Sequence, residues 1–327
     1  ASVARRIFRR TGSLHCYDVR VHCGTCWRTH TQLTTTGKGT MKQLRAFLTG
    51  ILLAGITACA STTTALLSGM SLSDEPLTGK FVWHDLVTTD LEADKRFYTG
   101  LFGWTYEQRR GPNGNPYTLA RSGDRFVAGM VLEPQPKDGS VISRWLGYLS
   151  VPDVGLAVKQ NGAAGGSAVV ERLDISDYVS VAAIIDPQGA VLGLAQSNIG
   201  DPDDSQAGTP GRGVWNELRA NDPAAAARFY KALAGYKVDV QQRNGGEYTL
   251  LIADGVKRAA ILENPMDGVE PLWLTYFGVQ DVKAATAKVG GLGGRVLLAP
   301  AADIRDGMQA LVVDPSGALL ALQQLPL

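Results

Sequence analysis

The run Phe81-Val82-Trp83-His84-Asp85-Leu86-Val87-Thr88 is rich in aromatic and β-branched residues and predicts a strand over 81–88. Apolar residues then recur at helical spacing as Phe97, Tyr98, Leu101 and Phe102, behind Asp90 or Thr89 as the N-cap and ahead of Gly103 as the stop. Strands follow at Tyr117–Ala120 and Arg125–Leu132. A second unit of the same kind begins with a strand at Trp145–Val151. It continues with a helix from Asp153 to Gly162 and strands near 167–172, 178–186 and 190–196. Each unit therefore reads strand, helix, three strands.

The whole pattern then recurs. Trp83, Asp90 and Phe97 return as Trp215, Asp222 and Phe229, each 132 residues later. The second copy has Asp222-Pro223 at its first helix, with Pro at the opening helical position. Strands Tyr248–Ala253 and Arg258–Leu262 follow, then Trp273–Val279, a helix from Asp281, and strands to Gln323. Asp186-Pro187-Gln188-Gly189-Ala190 repeats as Asp314-Pro315-Ser316-Gly317-Ala318, a tight-turn sequence. A repeat of this length is a duplicated domain. The domains are expected at 80–196 and 213–324. The segment 197–212, with Asp201-Pro202-Asp203-Asp204 and little apolar content, is expected to be the linker.

Charge and cysteine change the picture only at the N-terminus. The net charge of +1 argues against a nucleic-acid partner. All four cysteines precede residue 60, so the repeats have no disulfide and no cysteine nucleophile. Residues 1–40 show no period of 2 or 3.6. Their His22-Cys23-Gly24-Thr25-Cys26 and His30 lack the second ligand pair of a zinc unit, so they read as a disordered extension upstream of a candidate start at Met41. From Met41 a short basic stretch leads into an apolar run too short to span a bilayer. Ile56-Thr57-Ala58-Cys59 comes next and resembles a bacterial lipobox. That resemblance implies a signal peptide over 41–58, lipid on Cys59 and a tether over 59–79. The protein would then be anchored in the cell envelope, facing the periplasm or exterior.

Four βαβββ units in two pairs, with Asp-x-x-x-x-x-Phe-Tyr after the first strand and Asp-Pro-x-Gly before the last, resemble the vicinal oxygen chelate superfamily. This superfamily includes glyoxalase I, bleomycin resistance proteins and extradiol dioxygenases. The resemblance covers 80–324 and is closest to the duplicated glyoxalase-related branch. It implies an α+β fold of two curled-sheet domains that pair within a monomer, although a dimer stays open. In metal-dependent members it also implies a divalent ion held in each cup by His and Glu. The matching positions here are Trp83, Leu146 to within one residue, Gly193 and a fourth near Met130, and in the second copy Trp215, Leu274 to within one residue, Ala321 and a fourth near Ala260. None is a ligand. A one-residue shift would offer His84, but it also turns the side chain to the other face of the strand.

Alternation assigns Trp83, Asp85 and Tyr148 to the first cup and Trp215, Glu217 and Tyr276 to the second, with Arg219 beside them. Leu86 and Leu149 then pack beneath the helices, and His84 makes a hydrogen bond on that side. An aromatic floor with one carboxylate suits a small-molecule pocket, and it equally suits a filled core. Three readings follow. The first is a metal-free binding module for a small aromatic or amphipathic ligand, needing no cofactor. The second is a metal-dependent lyase or dioxygenase using an unrecognised set such as His84, Asp85 and Glu133. The third is a structural lipoprotein. Asp85 and Glu217 are the candidate general bases if a reaction occurs.

Overall fold

The computed structural model describes residues 71–326, apart from 112–113, 207, 244–245 and 266–268. The first unit comprises β1 (Phe81–Thr88), α1 (Leu91–Phe102), β2 (Thr105–Arg110), β3 (Pro116–Ser122) and β4 (Arg125–Leu132). The second comprises β5 (Arg144–Ser150), α2 (Val154–Ala163), β6 (Ser167–Asp174), β7 (Val179–Ile185) and β8 (Val191–Ser197). The third comprises β9 (Gly213–Ala220), α3 (Pro223–Ala234), β10 (Lys237–Arg243), β11 (Gly246–Ala253) and β12 (Val256–Glu263). The fourth comprises β13 (Leu272–Val279), α4 (Val282–Val289), β14 (Arg295–Leu298), β15 (Gln309–Val313) and β16 (Leu319–Gln324).

Each helix begins at an aspartate whose carboxylate accepts an N–H of the first turn. Asp90 takes that of Ala93, Asp153 that of Leu156, Asp222 that of Ala225 and Asp281 that of Ala284. Between the two cap candidates, Asp90 rather than Thr89 makes the bond.

The strands form two eight-stranded sheets ordered β2-β3-β4-β1-β5-β8-β7-β6 and β10-β11-β12-β9-β13-β16-β15-β14. In each, two units join through a central antiparallel pair, β1 with β5 and β9 with β13. The four helices lie between the two sheets, whose other faces point outward. The core is shared across the duplication. Phe97, Tyr98 and Leu101 of α1 pack with Phe277, Val282 and Leu322 of the fourth unit. Tyr230 and Leu233 of α3 pack with Leu149, Ile184 and Leu194 of the second.

Matched polar links cross the same junction. Trp145 Nε1 donates to the Tyr98 hydroxyl at 2.9 Å, and that hydroxyl donates to Asp314 Oδ2 at 2.8 Å. Trp273, Tyr230 and Asp186 repeat the relay at 2.9 and 2.8 Å. The Asp-Pro-x-Gly motif thus does more than form a turn. Its aspartate accepts turn N–H groups on one oxygen and the other half's tyrosine on the second. At the centre His84 Nε2 meets Asn216 Oδ1 at 3.0 Å, the two residues holding the same place in their repeats. Burial lowers the imidazole to about 4, leaving it neutral at pH 7.

The expected tether over 59–79 enters the described residues at 71, and from there it is docked. Ser73 N donates to Asp201 O at 2.8 Å, Leu77 N to Asp201 Oδ2 at 2.7 Å, and Gly79 N to Ser150 O at 2.9 Å. Segment 71–79 therefore belongs to the folded body, lying along the linker. Lys80 and Arg258 hold the linker from both halves through Asp204, each at 2.8 Å. Residues 1–58, including the basic and apolar runs and the Cys–His cluster, lie outside the described residues, as does Cys59.

One junction carboxylate lacks a counterpart in the second half. Asp94 of α1 accepts the Thr88 hydroxyl and Ser316 N, facing Asp314. Burial and the neighbouring Asp314 charge raise it to about 7. A carboxyl raised in the fold binds its proton more tightly there than in the unfolded chain, so stability declines as pH rises between about 4 and 7. Asp94→Asn is therefore expected to raise stability at pH 8 by on the order of 1 kcal/mol, or about 2–4 °C in Tm, with no gain at pH 4. Thermal melts at the two pH values check this, and an equal shift at both would contradict the charged assignment.

Candidate functional site

The outward face of the first sheet carries a carboxylate set in aromatic side chains. Alternation along β1 turns Trp83 and Asp85 to that face and Leu86 and His84 to the helices, as expected. Trp83 pairs in register with Tyr148 of β5, and Asp85 lies between Leu146 and Gly129. Asp85 Oδ1 accepts Trp83 Nε1 at 2.8 Å and the Tyr117 hydroxyl at 2.6 Å. Its Oδ2 accepts the Tyr148 hydroxyl at 3.0 Å. Burial raises Asp85, and the three donors only partly oppose that. Both tyrosines are pushed well above their usual range, so they remain donors at neutral pH.

Two glycines make room for this cluster. A Cβ at Gly129 would lie 1.9 Å from the Tyr117 oxygen and 2.2 Å from Asp85 Oδ1. One at Gly193 would lie 2.4 Å from the Tyr148 ring. At these points β4 and β8 leave the phenols their room with glycine, where the second half has Ala260 and Ala321.

The second cup repeats the floor. Tyr248 and Tyr276 donate to Glu217, and Trp215 Nε1 donates to the Tyr248 hydroxyl at 3.2 Å. Here cations join. Arg219 Nη2 reaches Glu217 Oε2 at 2.9 Å, and Arg305 Nη2 reaches Oε1 at 2.7 Å. Burial alone would raise Glu217, but Arg305 and Arg219 outweigh it and hold the carboxyl at about 2.

Every floor residue expected from the sequence is where alternation placed it. Tyr117, Tyr248 and Arg305 were missed. The repeated Tyr-Thr-Leu of 117–119 and 248–250 was a usable signal for the tyrosines. Arg305 had none, since it comes from the 299–308 loop, where the first half has only residues 175–178. The position expected near Met130 falls one residue earlier. The residue beside Asp85 is Gly129, while Met130 is buried on the helix side with Leu86 and Phe97. The alternative set His84, Asp85 and Glu133 is not brought together. His84 is on the opposite face, and Glu133 lies four residues beyond Gly129, roughly 13 Å along the strand.

The family described as Glyoxalase/Bleomycin resistance protein/Dioxygenase superfamily matches residues 214–322. A Mycobacterium bovis protein named "Putative glyoxylase CFP32" is 35% identical over 244 residues, covering 73% of this chain and 92% of its own. The chain belongs to this superfamily. As a superfamily member it also resembles the anthracycline biosynthesis protein DauV of Streptomyces sp. strain C5, at 28% identity over 76% of this chain and 94% of that one. In fold it resembles the Mn(II)-bound glyoxalase of Novosphingobium aromaticivorans, with a TM-score of 0.50 at 14% identity, over 76% of this chain and 82% of that one.

The superfamily's metal chemistry can be tested against the donors present. The positions implied for ligands do converge at each cup, and they carry indole, leucine, glycine and alanine side chains. The carboxylate nearest them already accepts three indole and phenol donors and stands there without a second carboxylate or imidazole among the described residues. No group of three His, Cys, Asp or Glu stands together among the described residues. A divalent cation needs several converging O or N ligands, and this set does not fit one.

Proposed function

We propose that the protein binds a small molecule on the outer face of its first sheet, without a metal, using Trp83, Asp85, Tyr117 and Tyr148. The observation that carries this reading is the setting of Asp85. It is a nearly buried carboxylate held by three donors at the centre of an aromatic floor, with Trp83 and Tyr117 still partly exposed around it. Apolar and aromatic walls with one or two fixed polar anchors are what small-molecule sites require. Among the described residues no arginine or lysine bonds to Asp85. A filled, purely structural floor would be expected to neutralise it, as the second half does with Glu217.

A thermal-shift screen of the full chain, followed by titration of the hits, tests this. Trp83→Ala should weaken every hit by at least about tenfold, or ~1.4 kcal/mol, and chelator treatment should leave binding unchanged. Hits bound equally by wild type and Trp83→Ala would place the site elsewhere. The glyoxylase and biosynthesis names of the relatives favour a reaction over simple binding, and Asp85, raised by burial, is the group suited to act as its base. Turnover lost in Asp85→Asn with ligand affinity retained would select that reading.

We also propose attachment to the cell envelope through lipid on Cys59. Its support is the order of basic stretch, apolar run and small residues before that cysteine. No described helix is long and apolar enough to cross a membrane. Cys59→Ser should move the protein from the membrane fraction to the soluble one. Unchanged membrane retention would refute the anchor.

A further inference from the structure

The second cup shows what the first is built to receive. A carboxylate offers about four lone-pair sites. Glu217 has all of them engaged, by Tyr248 and Arg305 on Oε1 and by Arg219 and Tyr276 on Oε2. The Arg305 guanidinium also lies 5.1 Å from the centre of the Tyr248 ring, whose other cationic neighbour is Arg243 at 3.7 Å. Arg305 and Asp306 both hold left-handed backbone, with φ of 46° and 56°. The ion pair thus keeps a strained loop over the cup.

Asp85 occupies the same place on the same floor and has three donors, leaving a site on Oδ2 beside Tyr148. Val87 stands where Arg219 would be, and the short 175–178 loop supplies no equivalent of Arg305. No described lysine or arginine lies over the Tyr117 ring. Several charged groups share the outward face of these strands, and on β2 Arg109 stands opposite Tyr117 and is ion-paired with Glu107. Arg144 of β5 stands opposite Val87 and turns Nε to the Ile142 carbonyl at 3.1 Å, burial lowering it with the Glu270 charge in partial opposition, while Glu133 adds negative charge at the end of β4.

We infer that the first cup takes a small molecule bearing a planar cation, an amidinium or guanidinium, which sits on Asp85 Oδ2 beside Tyr148 as Arg219 sits on Glu217 Oε2 beside Tyr276. The second cup carries that group as part of its own chain and is closed to ligand. This inference rests on the proposed binding site and adds the charge of its occupant.

Benzamidine and its neutral isostere benzamide, titrated calorimetrically into the full chain, test it. Benzamidine should bind with one equivalent and benzamide at least about tenfold more weakly, ~1.4 kcal/mol. Asp85→Asn should abolish the difference. Arg219→Gln, with Arg219→Met as a second variant should the first not fold, should add a second equivalent of benzamidine. Equal binding of the two compounds, or no benzamidine binding while a neutral screening hit still depends on Trp83, would overturn the cation and leave the site standing. If no compound in the screen depends on Trp83, the site itself falls.

Discussion

Phe277→Ala should destabilise the whole protein by about 3–5 kcal/mol and lower a single melting transition by about 10 °C. Phe277 is on β13, in the second copy, and is fully buried. Its aromatic neighbours all belong to the first copy. Ring centroids lie 4.7 Å away for Trp145, 5.5 Å for Phe102, 5.9 Å for Trp104 and 6.3 Å for His84. Truncation leaves a cavity between the halves that neither can close alone. If each half had its own core, the melt would split and only the transition of the second half would move. Differential scanning calorimetry separates the two outcomes, and a split melt would refute the interleaved core. The pairing of α1 with the fourth unit and α3 with the second predicts the cooperative result.

That interleaving was only partly legible in the sequence. The repeat at 132 residues, the aspartate caps and the strand alternation are local properties, and each was readable from residue order. The cup floor was readable for the same reason, because a period of two fixes which side of β1 holds Trp83 and Asp85. Which helix packs on which sheet depends on contacts between residues far apart in the chain, such as Tyr98 with Asp314. Nothing local distinguishes a tyrosine that serves its own half from one that reaches across. The Asp-Pro-x-Gly motif shows the limit. Its turn could be read from sequence, but the free oxygen it presents to the opposite half could not. Segment 71–79 looked like tether because it is polar and short of periodicity, yet its backbone N–H groups are taken by Asp201 and Ser150. Arg305 was out of reach because a loop without a repeat partner has no echo to align. The asymmetry it creates matters most for the two cups.

The sharpest test of that asymmetry compares Glu217→Gln with Asp85→Asn. Glu217 is wholly buried, and two guanidinium groups depend on it. Removing its charge strands both, a loss of about 3–5 kcal/mol for a fully buried pair. The Arg305 side chain is 33% exposed, so water offsets part of that, and the lower end of the range is expected. Because the folded carboxyl is depressed to about 2 from an ordinary 4.5, its contribution is complete above about pH 4.5. It fades as pH falls towards 2, so the deficit of Glu217→Gln should shrink in acid. Asp85 has the opposite sign. Its carboxyl is raised, so ionisation costs stability as pH rises, and asparagine removes that cost while keeping one acceptor oxygen for the donors. Asp85→Asn should change stability by less than about 1 kcal/mol at pH 7 and compare more favourably with wild type at pH 8 than at pH 4. Denaturant unfolding of both variants across pH measures the difference. An Asp85→Asn loss as large as that of Glu217→Gln would mean that Asp85 is neutralised within the protein. It would then have no site left for a ligand.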